Sequence, residues 1–294
     1  MTFEPVNRDR HLVVVCGPTA VGKTDFAIGL AQRYGTEIIS ADSRQIYAGL
    51  EIGTAQPDAG QLARVKHHLI GHLVVTEPYS AGRFAADAEA LISSIHQKNE
   101  TVIVCGGTGL YIKALLSGLD DLPVADAEVR HQLETDLAAH GIEHLQERLQ
   151  QLDPIHHAQM DLSNPARLLR ALEVCIVSGK PFSAQRSGRR KELPFTVKVI
   201  GLELPREQLY ARINARTEAM MAAGWLDEVK RMVPHRGMNA LNTVGYKELF
   251  AHLDGTLSLD EAVHLIKQNT RRFAKRQLTW FRAQPDVEWR APNL

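Results

Sequence analysis

The run Gly17-Pro18-Thr19-Ala20-Val21-Gly22-Lys23-Thr24 fits the pattern G-x-x-x-x-G-K-[ST] in full, and that spacing is built for binding phosphate. Glycines let backbone N–H groups curl around phosphate oxygens, and the helix that follows adds the positive end of its dipole. Lys23 brings a point charge, and Thr24 can offer its hydroxyl to Mg²⁺. Gly17, Thr19, Ala20, Val21, Gly22, Lys23 and Thr24 are therefore the diphosphate-binding candidates. The bland alternative is a chance match in a glycine turn. The position of the run, after an apolar strand-like stretch and before a helical pattern, argues against it. The pattern specifies a phosphate and leaves open the compound that carries it.

An ordinary P-loop ATPase or GTPase also places an acidic residue at a strand end to help hold Mg²⁺. The corresponding strand candidate here, Thr101 to Cys105, ends in Gly106-Gly107-Thr108-Gly109. No Asn-Lys-x-Asp element for reading guanine is visible, so a hydrolysis-driven switch loses ground. Asp42-Ser43-Arg44-Gln45-Ile46-Tyr47 follows a second strand candidate, at the edge where open α/β sheets bind ligands. A carboxylate there can take a proton from a nucleophile or hold a metal through water; it can equally cap a turn. Thr108 follows another strand of the same edge, where its hydroxyl can approach the same cleft or remain a plain loop threonine.

Basic residues gather near the C-terminus. Lys267, Arg271, Arg272, Lys275, Arg276 and Arg282 share one helical stretch with no acid between them. Lys267, Arg271 and Lys275 repeat at i, i+4, i+8 as one stripe, while Phe273, Trp280 and Phe281 are expected to anchor the helix in the core. A second cluster is Arg186, Arg189, Arg190 and Lys191. Such runs are ordinarily solvated faces. In a chain whose 34 basic and 34 acidic residues cancel, local clusters are what a nucleic acid could grip. His67, His68 and His72 lie close together, but adjacent ligands on an apolar strand are poor metal geometry.

These residues need a scaffold. A chain of 294 residues, 44% hydrophobic and 23% charged, suits a globular protein with one large domain or two modest ones. Cys16, Cys105 and Cys175 show no C-x-x-C spacing, which suggests reduced thiols in a cytoplasmic protein. Met1 to Arg10 lacks the apolar core of a signal peptide, and no apolar run approaches the roughly 18 residues of a membrane span. Strands are expected at Leu12 to Cys16, Glu37 to Ser40, Leu69 to Val75, Thr101 to Cys105 and Phe195 to Leu204. Helices are expected at Lys23 to Arg33, near Ala85 to Gln97, and then at Arg206 to Ala223, Leu226 to Met232 and Asp260 to Ala283. This alternation reads as a parallel sheet covered by helices. From about Asp120 the texture becomes helical: Ala125 to Leu152 has a turn signal at Gly141, and Ser163-Asn164-Pro165 starts a helix that stops at Gly179. The expected fold is α/β: a P-loop NTPase-like parallel-sheet core (1–120 and 196–294) with a mainly helical insertion domain (121–195).

Set in order, GPTAVGKT (17–24), SADSRQIY (40–47), IGTAQP (52–57), GGTGLY (106–111), PARLLRALEV (165–174), TVGYKEL (243–249) and TRRFAKRQLTWFR (270–282) resemble the tRNA dimethylallyltransferases over nearly the whole chain. The resemblance implies transfer of a dimethylallyl group from dimethylallyl diphosphate to N6 of the adenosine just 3′ of the anticodon, in tRNAs reading codons that begin with U. It makes Asp42 the general base, sets Thr108 near the breaking C–O bond, and gives Lys23, Thr24 and Arg216 to the departing pyrophosphate with Mg²⁺. It assigns contacts with the tRNA anticodon stem-loop to Asp42, Ser43, Arg44, Gln45, Thr108 and Arg130. Further contacts fall on Ala166, Arg167, Leu168, Leu169 and Arg170, on Asn242, Thr243, Val244 and Gly245, and on Thr270, Arg271, Arg272, Lys275, Arg276 and Gln277. A monomer without an obligate protein partner is expected, since one site accommodates one anticodon arm. Many members read Asn-Asp-Pro where this chain has Ser163-Asn164-Pro165, and the longer eukaryotic relatives carry a zinc-finger extension beyond the position of Arg290; the bacterial type fits better.

Two other readings use the same loop: a small-molecule or nucleotide kinase, and an RNA-binding regulator without chemistry. If the helical insertion is the clamp for the RNA, deleting it is expected to abolish tRNA modification while diphosphate binding, measured by calorimetry, survives largely intact. Equal loss of both would count against a separate clamp.

Overall fold

A computed structural model describes residues 7–186 and 191–293; Arg189 and Arg190 of the second basic cluster lie outside them. The chain divides into two compact units, 1–116 with 192–294, and 117–191.

The larger unit is built on six parallel strands in the order β3-β2-β4-β1-β5-β6. They are β1 (Asn7–Cys16), β2 (Ile38–Ser40), β3 (His67–His68), β4 (Thr101–Gly106), β5 (Phe195–Leu202) and β6 (Val287–Arg290). Side chains alternate across a strand, and β4 and the Leu12–Cys16 half of β1 are apolar on both faces, as a doubly covered parallel sheet requires. Leu12, Val14, Cys16, Val102 and Val104 enter one core beneath α3 (Ala81–Ile95) and α4 (Gly109–Ser117). Val13, Val15 and Ile103 enter the other, against α1 (Lys23–Tyr34) and α8 (Arg206–Ala222). A third apolar cluster joins Ile46, Tyr47 and Leu50 to α9 (Trp225–Arg231), α10 (Tyr246–Leu253) and α11 (Leu259–Arg282).

Local signals explain where the helices begin and end. Gly35 closes α1 in the left-handed conformation and returns its N–H to Ala31 and Gln32, the usual glycine stop. Ser80 caps α3, so that helix begins at Ala81, four residues ahead of the expected start near Ala85. Ser258 and Glu261 form a reciprocal capping box on α11. The short α2 (Ala59–Arg64), capped in the same way by Asp58 and Gln61, and the edge strand β6 were not expected.

The expected strand at Leu69 to Val75 does not form. Leu69 and Gly71 both take positive φ (60° and 55°), and the chain leaves the sheet after His67–His68 pairs with Ile38–Ile39. Leu73 returns only as an isolated bridge to Tyr47. Apolar composition read as a strand because a turn enforced by one left-handed leucine leaves no mark in hydrophobicity alone.

The smaller unit holds α5 (Ala127–Leu152), kinked at Gly141, α6 (Pro154–Gln159) and α7 (Pro165–Ser178). Leu133, Leu145, Leu149, Leu168, Leu169 and Leu172 form its core. Asn164 caps α7 by accepting from the Arg167 N–H, and Gly179 ends it. Among the described residues, no helix is long and apolar enough to cross a membrane.

The sheet's working edge depends on close backbone approach. A Cβ at Gly106 would stand 2.1 Å from the Ala41 carbonyl oxygen, so β4 can end beside the β2 exit only with glycine there. Gly106→Ala is expected to lower stability by about 1–3 kcal/mol through overpacking, readable as a lower denaturation midpoint with an unchanged m-value.

Candidate active site

Parallel register brings three loops to one edge. Cys16 pairs with Gly106, and Ser40 with Cys105. The chain therefore leaves β1, β2 and β4 at the same level, into the loops carrying Lys23, Asp42 and Thr108. Open parallel sheets bind ligands at this edge.

After β1 the backbone passes through Gly17 (φ 139°), Ala20 (φ 64°) and Gly22 (φ 104°). Gly22 stands at the N-terminus of α1 with no side chain capping it, which leaves the first-turn N–H groups directed at an incoming anion. Lys23 donates to the Pro18 carbonyl at 2.8 Å. Burial lowers the proton affinity of its ammonium, opposed by the nearby Cys105 and Asp42. From α8, Arg216 donates to the Thr19 hydroxyl and Arg212 to the Val21 carbonyl at 2.9 Å. Burial also lowers the pKa of Arg216, and the Asp42 charge works against that. Cys16 is buried and Cys105 partly buried beside the loop, and burial pushes both thiols up to about 12.

Asp42 stands two residues past the end of β2. Its Oδ1 accepts from the Arg44 N–H at 2.9 Å and the Gln45 N–H at 3.3 Å, so the carboxylate does cap its own turn. The other oxygen is not used in that turn, and Asp42 lines the cleft. Thr108 Oγ1 accepts from the Ser43 N–H at 3.0 Å, and its own N–H donates to the Ala41 carbonyl at 3.2 Å. Asp42 and Thr108 thus belong to one hydrogen-bonded loop pair.

A cleft of about 460 Å³ lies over this edge, lined by Thr19, Asp42, Thr108 and Arg216. Of the residues expected to meet RNA, Ser43, Arg44, Asn242, Thr243, Val244, Thr270 and Arg276 line it too. Arg44 reaches across to donate to the carbonyls of Asn239 and Asn242. Gln45 turns inward, donating to the Ala55 carbonyl at 2.8 Å. Gly245 starts α10, its N–H held by Glu248 at 2.7 Å.

Other expected positions stand elsewhere. Arg271 is drawn to Asn214 (2.8 Å) and lies over Tyr210, and Lys267 pairs with Glu218 at 2.7 Å, so two members of the basic stripe are tied to α8. Arg272 and Lys275 border a separate surface hollow with Trp280. Gln277 is buried. In the smaller unit Arg130 and Arg170 both donate to one oxygen of the buried Glu173, each at 2.9 Å. Ala166 and Arg167 are exposed there, whereas Leu168 and Leu169 are buried in the core. The side chains of those two leucines therefore face helices rather than solvent. The i, i+3, i+4 spacing of α7 already assigns them to its apolar face.

Phe273 corrects an expectation. It is 40% exposed and lines the cleft with Thr270 and Arg276, while Phe281 alone of the three expected anchors is fully buried. Glu228 was missed altogether. It is fully buried and accepts from the Ile52 and Gly53 N–H groups, both at 2.8 Å, and from the Tyr246 hydroxyl at 2.7 Å. That carboxylate holds the 52–54 wall of the cleft. Within Trp225-Leu226-Asp227-Glu228 no sequence signal separates it from a surface acid.

Glu228→Ala strands two backbone donors in the interior, at about 1–3 kcal/mol for each unsatisfied group. The expected result is a stability loss of roughly 2–5 kcal/mol by chemical denaturation, well above that of Asp227→Ala next to it.

Known proteins with this arrangement are consistent. The sequence profile of the family described as IPP transferase matches residues 45–284. A tRNA dimethylallyltransferase of Christiangramia forsetii is 47% identical over 279 residues, covering 95% of this chain and 92% of the relative. One from Cytophaga hutchinsonii is 44% identical, covering 97% and 94%. Among solved structures, the full-length tRNA isopentenylpyrophosphate transferase of Bacillus halodurans superimposes with a TM-score of 0.69 at 38% identity, covering 96% of this chain and 89% of that one. A eukaryotic dimethylallyltransferase described as acting on tRNA gives 0.80 at 25% identity, covering 95% and 73%.

Proposed function

The chain belongs to the IPP transferase family, and on that premise we propose how its cleft transfers a dimethylallyl group to N6 of a tRNA adenosine. The fold is the P-loop NTPase-like α/β core of the tRNA isopentenyltransferases, and the protein is a prenyltransferase enzyme. The observation that carries the site reading is the gathering of Asp42, Thr108, Arg216 and Thr19 around one cleft beside the phosphate loop.

In this reading the diphosphate of dimethylallyl diphosphate lies in the curl of the Gly17–Thr24 loop, against those of its amides that have no partner among the described residues. Lys23 and Arg216 face it; burial lowers the proton affinity of both, and the negative charge of a diphosphate beside them favours their cationic forms. The exocyclic amine of adenine is a poor nucleophile, because its lone pair is delocalised into the ring. Asp42 accepts one N6 proton as the N6–C bond forms, and the C–O bond to the diphosphate breaks. Negative charge grows on the leaving oxygens, where Lys23, Arg216 and the loop N–H groups stabilise it. Thr108, held by the Ser43 N–H, stands between base and leaving group.

Among the described residues, no three His, Cys, Asp or Glu side chains gather as a metal cage. Mg²⁺ needs none: it keeps several waters and is held by few protein ligands together with substrate phosphates. Thr24, in the first turn of α1, is the residue that would hold it, and the ion would add charge neutralisation at the diphosphate.

The tRNA adenosine must leave its stack to reach Asp42, at a cost of a few kcal/mol. Arg44, Thr270, Phe273 and Arg276 offer polar, cationic and aromatic contacts along the cleft that offset it. Arg130, Arg167 and Arg170 give the insertion a cationic surface for the anticodon stem. A monomer in the cytoplasm, where tRNA is modified, completes the reading. The match to IPP transferases favours it over a kinase that would use the same loop on ATP.

Incubation with labelled dimethylallyl diphosphate and unmodified tRNA, followed by nucleoside analysis, should yield N6-dimethylallyl adenosine. Asp42→Ala is expected to lower kcat by at least about a hundredfold while tRNA affinity changes far less. No prenylated adenosine, with both substrates shown to bind, would sink the proposal.

A further inference from the structure

Gln277 lies on the helix that carries the basic residues, yet it is 7% exposed. Both ends of its amide are used, and both partners are loop backbone. Oε1 accepts from the Thr19 N–H at 2.8 Å, and Nε2 donates to the Gly107 carbonyl at 2.9 Å. Because one partner can only donate and the other only accept, the orientation of the amide is fixed. Thr19 belongs to the phosphate loop after β1; Gly107 is the residue before Thr108, after β4. A single side chain from α11 therefore spans two of the three loops at the working edge.

We propose that Gln277 is a positioning residue that braces the phosphate loop against the Thr108 loop, and that it is not a contact for RNA. The proposal rests on the prenyl-transfer reading only for the identity of the diphosphate.

Three observations support it. The Thr19 N–H is engaged by Gln277 and the Thr19 hydroxyl by Arg216. The Thr19 N–H is thus committed to the scaffold, and among the loop amides phosphate oxygens are left to those from Ala20 onward and to the α1 terminus; the Thr19 hydroxyl, while accepting from Arg216, keeps its own proton to donate. The anchor also fixes the residue just before Ala20, which is held at a positive φ of 64°, a conformation unfavourable for a residue with a Cβ, and it does so alongside the Arg212 bond to Val21 on the other side. Lastly, Thr270, Phe273 and Arg276, which line the cleft, precede Gln277 on α11 by seven, four and one residues. The helix that offers a surface to the RNA is bolted to the loop that holds the donor.

The brace explains why a glutamine serves where a charged side chain would not. A carboxylate could not donate to Gly107, and an ammonium could not accept from Thr19. Either would leave one buried backbone group unpaired and add a charge beside the diphosphate.

The test is Gln277→Met, which keeps volume and removes both hydrogen bonds. Inorganic pyrophosphate is the calorimetric probe, so the result does not depend on prenyl transfer. Pyrophosphate affinity is expected to fall about tenfold, as two net hydrogen bonds imply. KM for dimethylallyl diphosphate should rise in parallel, while affinity for an anticodon stem-loop RNA stays within about twofold. Unchanged pyrophosphate affinity would overturn the proposal. So would a loss of RNA affinity as large as the loss of pyrophosphate affinity. Should the variant fail to fold, amide exchange in the unaltered protein decides: the Thr19 N–H must exchange slowly before any ligand is added, and fast exchange would overturn the brace. An unaltered protein that binds pyrophosphate but transfers no prenyl group would instead end the prenyl-transfer reading and leave the brace standing.

Discussion

The cleft depends on one backbone contact, the lodging of the β4 exit against the β2 exit. Ala41 donates its N–H to Cys105 and accepts from Thr108, and Gly106 presents no side chain at the point where the two chains touch. Those bonds set Asp42 and Thr108 side by side without any direct side-chain link between them. The phosphate loop is then aligned by the register of β1 with β4. Chemistry at this edge is thus a consequence of strand length and pairing, and the reactive side chains inherit positions that the backbone has already settled.

Around that contact the protein uses buried polar groups as fasteners. Glu228 collects two N–H groups and a hydroxyl for the 52–54 wall. Glu248 holds the start of α10 and the Asn269 side chain. In the smaller unit Glu173 gathers Arg130, Arg170 and the Asp126 N–H. Buried charge of this kind adds little net stability and much specificity of arrangement when every lone pair is satisfied. A chain with no net charge can in this way present cationic surface locally, because part of its acid is withdrawn into the interior.

What the sequence disclosed follows from the range of its signals. The phosphate loop is a contiguous pattern, and the strand-loop-helix setting around it is local, so both were legible. Asp42 and Thr108 were legible as strand-end residues, since a parallel sheet carries its loops to one edge. The missed features are all products of distance. Glu228 holds Ile52 and Gly53, more than a hundred positions away, and nothing about its neighbours marks it as interior. The amide of Gln277 works between loops that meet only after folding; helical spacing alone placed it among the basic residues. Phe273 looked like core because aromatic residues on an amphipathic helix usually are, and only the packing of α8 and α10 leaves it a cavity to face. The failed strand at Leu69 to Val75 turned on a single left-handed leucine, a backbone choice that side-chain type discourages and tertiary context imposed.

The two thiols beside the phosphate loop bear on a hazard inherent in the donor. An allylic diphosphate is an alkylating agent, and the softest nucleophile within reach would ordinarily capture its carbon in preference to an aromatic amine. Cys105 lies against the Lys23 carbonyl at 3.6 Å, under the phosphate loop and outside the lining of the cleft. Burial pushes its thiol and that of Cys16 up to about 12, which favours the protonated form, and a protonated thiol is a feeble nucleophile. The apolar packing that builds the sheet therefore also keeps the thiols beside the phosphate loop in their less nucleophilic form.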